Sequence, residues 1–184
     1  VEMLRPFHLR IKTQLTGDYN LDNVLAAVAV GAHFGVEPHA IKQAIEHYRP
    51  DNQRSQVIKK RGLTIVQDTY NANPSSMKAA LDNFSQHFPG EKIIALGEML
   101  ELGEDAPVEH MRIVQHAAEI SGSTLLLVGS LFAEASKAVS CHHFENAVAC
   151  TEWLKQHLPS SGNILIKGSR GAKMEQLMNA FQDS

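Results

Sequence analysis

Apolar residues in the first part of the chain follow two different periods. Strict alternation over Leu9–Leu15 predicts a half-exposed strand. The helical spacing that follows predicts one helix from Leu21 that Gly35 ends, and a second that begins at Pro38. Pro50 would end the second helix, and the polar residues 51–53 are the best candidate for a linker.

The remainder of the chain alternates short apolar runs with helical stripes. Two runs joined at Arg61-Gly62 predict a hairpin, and the later runs are typical of strands buried on both faces. The predicted strands are 56–60, 63–68, 92–97, 124–129 and 163–168; the predicted helices carry apolar stripes beginning at Met77, Pro107, Ala147 and Met174. This order predicts a doubly wound α/β domain over residues 51–184, with a mostly parallel sheet.

The amino-acid composition argues against several classes of function. The chain has 184 residues, a net charge of −3 and a pI near 6.4, which argues against a broad basic face for duplex nucleic acid. No apolar run reaches the roughly 18 residues of a membrane span. Cys141 and Cys150 suit a reducing compartment, so a cytoplasmic location is expected. The chain starts at Val1 in what resembles the middle of a protein, so we expect a fragment.

Several chemistries lack their sequence patterns. There is no G-x-G-x-x-G after a strand, no phosphate-binding P-loop and no G-x-S-x-G nucleophile elbow. The ten histidines show no metal-ligand spacing, so no metal site is predicted. The pair His142-His143 would point to opposite faces if it lay on a strand.

Polar residues gather where the predicted parallel strands end, which is where such sheets bind ligands. Asp68 suits a ribose or an amine, while Asn71 and Asn73 suit an amide or a base edge. Lys167 and Arg170 flank Gly and Ser and would suit an anion. The same residues are also typical of structure without a ligand: the Asn-Ala-Asn-Pro-Ser-Ser run as a turn and helix cap, and the two cations as ordinary surface residues.

Four ordered segments resemble the Mur ligase family and extend over nearly the whole chain. They are Gly17-x-Tyr19-Asn20-x-x-Asn23-x-Leu25-Ala26-Ala27, Asp68-x-Tyr70-Asn71-Ala72-Asn73-Pro74-x-Ser76-Met77, Leu96-Gly97-Glu98-Met99-x-Glu101-Leu102-Gly103 with His110, and Lys167-Gly168-Ser169-Arg170-x-x-x-Met174-Glu175. Two positions depart from the usual pattern, because Tyr19 replaces a histidine and Glu98 an aspartate.

The resemblance implies a three-domain ligase that is most similar to the members adding D-alanyl-D-alanine to UDP-N-acetylmuramoyl-tripeptide in peptidoglycan synthesis. Residues 1–50 would be the tail of the central ATPase domain, and 51–184 the Rossmann-like last domain. ATP and Mg²⁺ would be the cofactors, with their principal ligands upstream of this chain. UDP-N-acetylmuramoyl-tripeptide and D-alanyl-D-alanine would be the small-molecule substrates, and no nucleic acid or membrane partner is expected.

The resemblance also implies residue roles. Those expected near the nucleotide are Asn20, Asn23, Arg54, Asp68, Tyr70, Asn71 and Asn73. Those expected near the amino-acid substrate are Glu98, His110, Lys167, Ser169 and Arg170. No catalytic residue is assigned, and the chain alone is predicted to be inactive. The alternatives are another Mur ligase, a folylpolyglutamate synthase, and a non-catalytic α/β module that binds a nucleotide or a partner protein.

Overall fold

The computed structural model describes residues 9–15, 20–48 and 55–182, and the chain divides into two compact units, Val1–Pro50 and Asp51–Ser184. The candidate linker at 51–53, Arg54 and Tyr19 lie outside the described residues.

The described residues of the first unit form two helices, α1 (Leu21–His33) and α2 (Pro38–His47). They pack closely at Gly31, where an added Cβ would lie 3.0 Å from Ile41. The predicted apolar stripe of α1 is not buried: Leu21 is 59% and Leu25 55% exposed, and none of the residues of α1 is buried. The stripe is apolar, as predicted, but the contact with α2 near Gly31 leaves Leu21 and Leu25 exposed.

The strand predicted over residues 9–15 is wrong, because this segment forms no sheet ladder. It is bonded to α2 instead. The Lys12 N–H donates to Glu46 Oε1 at 2.9 Å, and the Gln14 amide donates to the Glu46 carbonyl at 2.9 Å. Alternation describes which side chains face solvent, whereas a strand also needs a neighbouring backbone, and the described residues of this unit supply none.

The second unit is a six-stranded sheet covered by helices on both faces. Its strands, in chain order, are β1 (Gln56–Lys60), β2 (Leu63–Asp68), β3 (Lys92–Gly97), β4 (Ser123–Val128), β5 (His142–Phe144) and β6 (Gly162–Lys167). Its helices are α3 (Pro74–His87), α4 (Ala106–Ala118) and α5 (Ala147–His157), together with short 3₁₀ turns and a 3₁₀ helix over Met174–Phe181. The predicted mostly parallel α/β fold is confirmed; β5 was missed, and the last helix is 3₁₀.

The strand order is β1-β2-β6-β3-β4-β5, and only β1 is antiparallel to its neighbour. The predicted hairpin turn is present, because Arg61 and Gly62 both have positive φ between the paired Lys60 and Leu63. Strand β6, the last in sequence, lies between β2 and β3. The carboxyl ends of β2, β6 and β3 are therefore neighbours at one edge of the sheet.

Alternate residues of each central strand build two separate cores. On β3, Ile94 and Leu96 pack with α3 and α4, whereas Ile93 and Ala95 pack with α5 and the final 3₁₀ helix. Both faces are covered, which explains why these strands are continuous apolar runs. Cys150 lies in the second core, and burial raises the pKa of its thiol to about 12.

Candidate ligand-binding site at the carboxyl edge of the sheet

Two charged residues meet where β2 and β6 end. The Lys167 ammonium donates to Asp68 Oδ2 at 2.7 Å and to the Asn71 carbonyl at 3.3 Å. The parallel register sets Asp68 beside Lys167, so the pair follows directly from the strand order. Lys167 is only 1% exposed, and its ammonium is used within the protein. It holds the β2–α3 loop against β6 and presents no free charge at the surface.

The loop after β2 carries three of the expected nucleotide-binding residues. Asn73 caps α3 in a reciprocal pair: its side chain accepts from the Ser76 N–H at 2.8 Å, and its own N–H donates to Ser76 Oγ. Asn71 Oδ1 accepts from the Ala72 N–H at 2.8 Å, although the residue is exposed. The cap that the Asn-Ala-Asn-Pro-Ser-Ser run predicts is therefore confirmed, and it positions the exposed loop beside Asp68.

A guanidinium and a phenol ring face each other at the same edge. The Arg170 guanidinium carbon lies 5.9 Å from the centre of the Tyr70 ring, at the limit of a cation–π contact. Both residues are exposed. The neighbouring Ser169 is buried, and its hydroxyl donates to the Glu98 carbonyl at 2.7 Å. Among the Lys-Gly-Ser-Arg residues, Arg170 is thus the one whose charge reaches the surface.

Glu98 connects three loops at the ends of β3, β4 and β6. Its carbonyl accepts from both the hydroxyl and the N–H of Ser169, and its own N–H donates to the Val128 carbonyl. Its carboxylate Oε2 accepts from the Leu131 N–H at 3.1 Å. Gly129 makes room for that carboxylate, because it has φ +113° and an added Cβ would overlap Glu98. Both the backbone and the side chain of Glu98 are therefore fixed.

Beside Glu98 lies a cleft of about 310 Å³ between the ends of β3 and β4, the start of α5 and the turn before the final 3₁₀ helix. It carries carboxylates, an ammonium and amides; its polar lining side chains are Glu98, Glu145, Asn146, Lys173 and Gln176. The Asn146 side chain caps α5 by accepting from the Ala149 N–H at 3.0 Å. Charges of both signs in one cleft suit a zwitterion. Four of these five residues were not predicted, because they follow the unpredicted strand β5 or lie beyond Arg170.

His110 does not line this cleft. It is fully buried in α4, and both of its ring nitrogens are bonded within the protein. Asn20 and Asn23 lie in the first unit, where Asn23 donates to the Asn20 side chain at 3.0 Å. Arg54 lies outside the described residues. The structure therefore brings Asp68, Tyr70, Asn71, Glu98 and Arg170 to one edge.

Metal ligands do not cluster in residues 9–15, 20–48 and 55–182: no three His, Cys, Asp or Glu side chains are placed to hold an ion. The two adjacent histidines of β5 have separate contacts. The His142 ring contacts the Trp153 ring at a tilt of 39°, and His143 Nε2 lies 2.9 Å from the Gly129 carbonyl. Within the same described ranges, no helix is long and apolar enough to cross a bilayer.

A doubly wound sheet with cross-linked polar loops at its carboxyl edge defines an α/β domain of the Rossmann-like class, in which the carboxyl ends of the strands are the usual place for a ligand. Residues 53–170 match the family described as "Mur ligase, glutamate ligase domain". The chain belongs to the Mur ligase family.

Curated relatives share this assignment. The chain is 33% identical over 174 residues to the UDP-N-acetylmuramoyl-tripeptide–D-alanyl-D-alanine ligase of Treponema pallidum, covering 91% of this chain and 38% of the relative. It is 30% identical to the enzyme of that name from Escherichia coli, covering 92% of this chain and 38% of the relative. The chain thus spans well under half the length of these relatives.

Solved structures show the same fold. MurF from Acinetobacter baumannii superimposes with a TM-score of 0.84 at 29% identity, covering 93% of this chain and 39% of the other. MurF from Thermotoga maritima, solved in complex with ADP, gives a TM-score of 0.75 at 23% identity, with coverages of 91% and 38%. The second likeness is one of fold alone.

Proposed function

We propose that this chain is the C-terminal part of a Mur ligase that joins D-alanyl-D-alanine to UDP-N-acetylmuramoyl-tripeptide at the expense of ATP. In this scheme residues 1–50 are the tail of the central ATPase domain, and 51–184 are the last domain. The observation that carries the proposal is the edge at which Asp68, Glu98 and Arg170 meet, on a chain 33% identical to a ligase of that name. The free cysteines suit the expected cytoplasmic location.

The reaction would need two steps, because a carboxylate is a poor electrophile. ATP would phosphorylate the terminal carboxylate of the tripeptide, forming an acyl phosphate and ADP. The amine of D-alanyl-D-alanine would then attack the acyl carbon, losing a proton as inorganic phosphate leaves. Positioning and charge stabilisation would supply much of the rate, and this edge would contribute positioned groups to both substrates.

The exposed groups divide naturally between the two substrates. Asp68 has one carboxylate oxygen on Lys167 and is part-exposed, so its other oxygen suits a ribose hydroxyl. Tyr70 would lie beside the adenine, and Arg170, whose guanidinium carbon lies 5.9 Å from the centre of that ring, would face the amino-acid substrate. ATP would be taken with Mg²⁺, whose ligands we expect outside this chain; the described residues offer no cluster for it.

The cleft beside Glu98 suits the incoming dipeptide, which is a zwitterion. Glu98 and Glu145 would attract its ammonium, while Lys173 and the start of α5 would attract its carboxylate. Glu98 is the better defined of the two acids, because Leu131 holds its carboxylate in place. Ser169 would not contact the dipeptide and would instead fix the Glu98 backbone through its hydrogen bond to the Glu98 carbonyl.

A phosphate-release assay with the protein of the relatives' full length tests the proposal. Turnover should require ATP, UDP-N-acetylmuramoyl-tripeptide and D-alanyl-D-alanine together, and the 184-residue chain alone should give none. Turnover with glutamate and a folate, or with a single amino acid, would instead support a folylpolyglutamate synthase or another Mur ligase. Absence of turnover with every such pair would favour a non-catalytic module.

Glu98→Gln separates the amine site from the nucleotide site. Loss of a charged hydrogen bond is worth about 1.5–3 kcal/mol, so kcat/KM for D-alanyl-D-alanine should fall about ten- to a hundredfold. The KM for ATP should stay unchanged. Glu134→Gln is the matched control, because Glu134 is exposed and its ion pair among the described residues is with Lys137. Equal effects of the two variants would contradict the assignment of Glu98.

A further inference from the structure

His110 is fully buried on α4, yet both of its ring nitrogens have hydrogen-bond partners. Its Nδ1 lies 2.7 Å from the Ala106 carbonyl, and its Nε2 accepts from the Met99 N–H at 3.0 Å. A carbonyl can only accept and a backbone N–H can only donate. These two partners therefore require the neutral ring with its proton on Nδ1.

The bond from Met99 to His110 reaches across eleven residues, from the loop after β3 to the first turns of α4. Met99 follows Glu98 directly, so this bond fixes the peptide that carries the cleft carboxylate. The carbonyl of the same peptide accepts from the hydroxyl and the N–H of Ser169, and the N–H at the other end of Glu98 donates to the Val128 carbonyl. His110 thus completes a set of backbone anchors around one side chain.

The ring of His110 also contacts the loop after β4. It packs edge-on against Phe132, with ring centres 4.7 Å apart and an interplanar angle of 78°. Phe132 is fully buried and follows Leu131, whose N–H binds the Glu98 carboxylate. One side chain therefore supports both the backbone of Glu98 and the turn that holds its carboxylate.

We propose that His110 is a positioning residue that sets the direction of the Glu98 carboxylate toward the amine in the cleft, acting through Met99 and Phe132. The part of this inference that concerns the amine rests on the proposed function. His110 itself touches no substrate, since it is enclosed by protein and has no nitrogen left to offer a ligand.

Two substitutions separate the two bonds of His110. Gln places its oxygen at the ε position and can still accept from Met99, whereas Asn places its polar atoms at the δ position and can keep only the bond to Ala106. His157→Asn is the matched control, because His157 makes the same local bond to the Trp153 carbonyl at 2.7 Å but is exposed.

The test uses nuclear magnetic resonance on the 184-residue chain. In the unaltered chain, long-range ¹⁵N–¹H spectra should show His110 protonated at Nδ1 only. In His110→Asn, the Met99 and Leu131 amides should exchange with solvent about tenfold faster, the worth of about one hydrogen bond. His110→Gln should keep both amides protected, and His157→Asn should change neither.

Titration with D-alanyl-D-alanine, followed by amide chemical shifts, tests whether His110 affects binding of the amine. Amide shifts at Glu98, Gly129 and Lys173 should appear in the unaltered chain and in His110→Gln, and should need about tenfold more dipeptide in His110→Asn. Protection of Met99 and Leu131 that survives in His110→Asn would overturn the positioning role. Absence of shifts in every chain, with the exchange pattern as predicted, would instead count against the amine site and leave His110 as the anchor of Glu98.

Discussion

Replacing Lys167 by Met tests how the carboxyl edge is held together. The substitution keeps much of the aliphatic chain and removes the ammonium that binds Asp68 at 2.7 Å. Removing one partner of a fully buried ion pair costs about 3–5 kcal/mol. The Asp68 side chain is 14% exposed, so water can solvate it once Lys167 is gone, and we expect a cost below that range, about 2–3 kcal/mol.

The reciprocal change should cost more. Asp68→Asn leaves the Lys167 ammonium buried, with only the Asn71 carbonyl and a neutral amide as partners, so we expect about 3–4 kcal/mol. The double variant leaves no buried charge and should lose about 2 kcal/mol less than the sum of the single changes. The asymmetry follows from the exposure of the two side chains, since only the acid reaches solvent.

Urea unfolding followed by tryptophan fluorescence measures these values. Trp153 is the only tryptophan, and it lies on α5 of the same unit, so the signal reports the α/β unit alone. Val57→Thr, on the exposed edge strand β1, serves as a control away from the pair. Additive single changes, or a Lys167→Met variant as stable as the unaltered chain, would refute the view that this pair closes the edge.

Four further outcomes follow from the geometry. Gly129→Ala should cost about 1–3 kcal/mol through its positive φ; on the proposed function, it should also raise the KM for D-alanyl-D-alanine in a full-length protein by displacing Glu98. Asn73→Ala should lower the urea-derived free energy of unfolding by about 1 kcal/mol through loss of the α3 cap, and a neutral result would contradict the observed pairing. The Cys150 thiol, whose pKa burial raises to about 12, should react with a thiol reagent at pH 8 only after urea unfolding, as mass spectrometry of the labelled peptide would show. The hydrogen bond from Lys78 lowers the pKa of Asp82, so ionised Asp82 stabilises the fold above about pH 4 and this stabilisation is lost on acidification. In Asp82→Asn, the urea midpoint of unfolding should therefore decrease less below that pH than in the unaltered chain.

The arrangement of the edge could be predicted from sequence because it follows from one rule. Parallel strands bring their carboxyl ends to the same side, so Asp68, Glu98 and Arg170 were expected to meet. Whether each of these side chains is paired within the protein or exposed to solvent could not be predicted in the same way. Lys167 lies in a segment whose residues suit an anion site. Its partner Asp68 lies 99 positions earlier in the chain, and the two meet because β6 lies beside β2 in the sheet.

The strand prediction for residues 9–15 was wrong for a related reason. Its alternation gave a correct account of polarity and no information about a neighbouring strand, whereas β1 was predictable because a two-residue turn joins it to β2. Strand β5 has only three residues, too few for a period to be recognised. The cleft residues Glu145 and Asn146, which follow it directly, were therefore not predicted either.

The polar residues shared with the family therefore divide by what their atoms touch. Lys167, Ser169 and His110 use their polar atoms on other loops, so they determine where the edge lies. Glu98 and Arg170 keep atoms available at the surface and are the ones that a ligand can reach. Changes in the first group should alter stability and substrate geometry together, while changes in the second should alter affinity with little effect on unfolding. Measuring the free energy of unfolding and the affinity for the proposed substrates, for each variant, distinguishes the two groups.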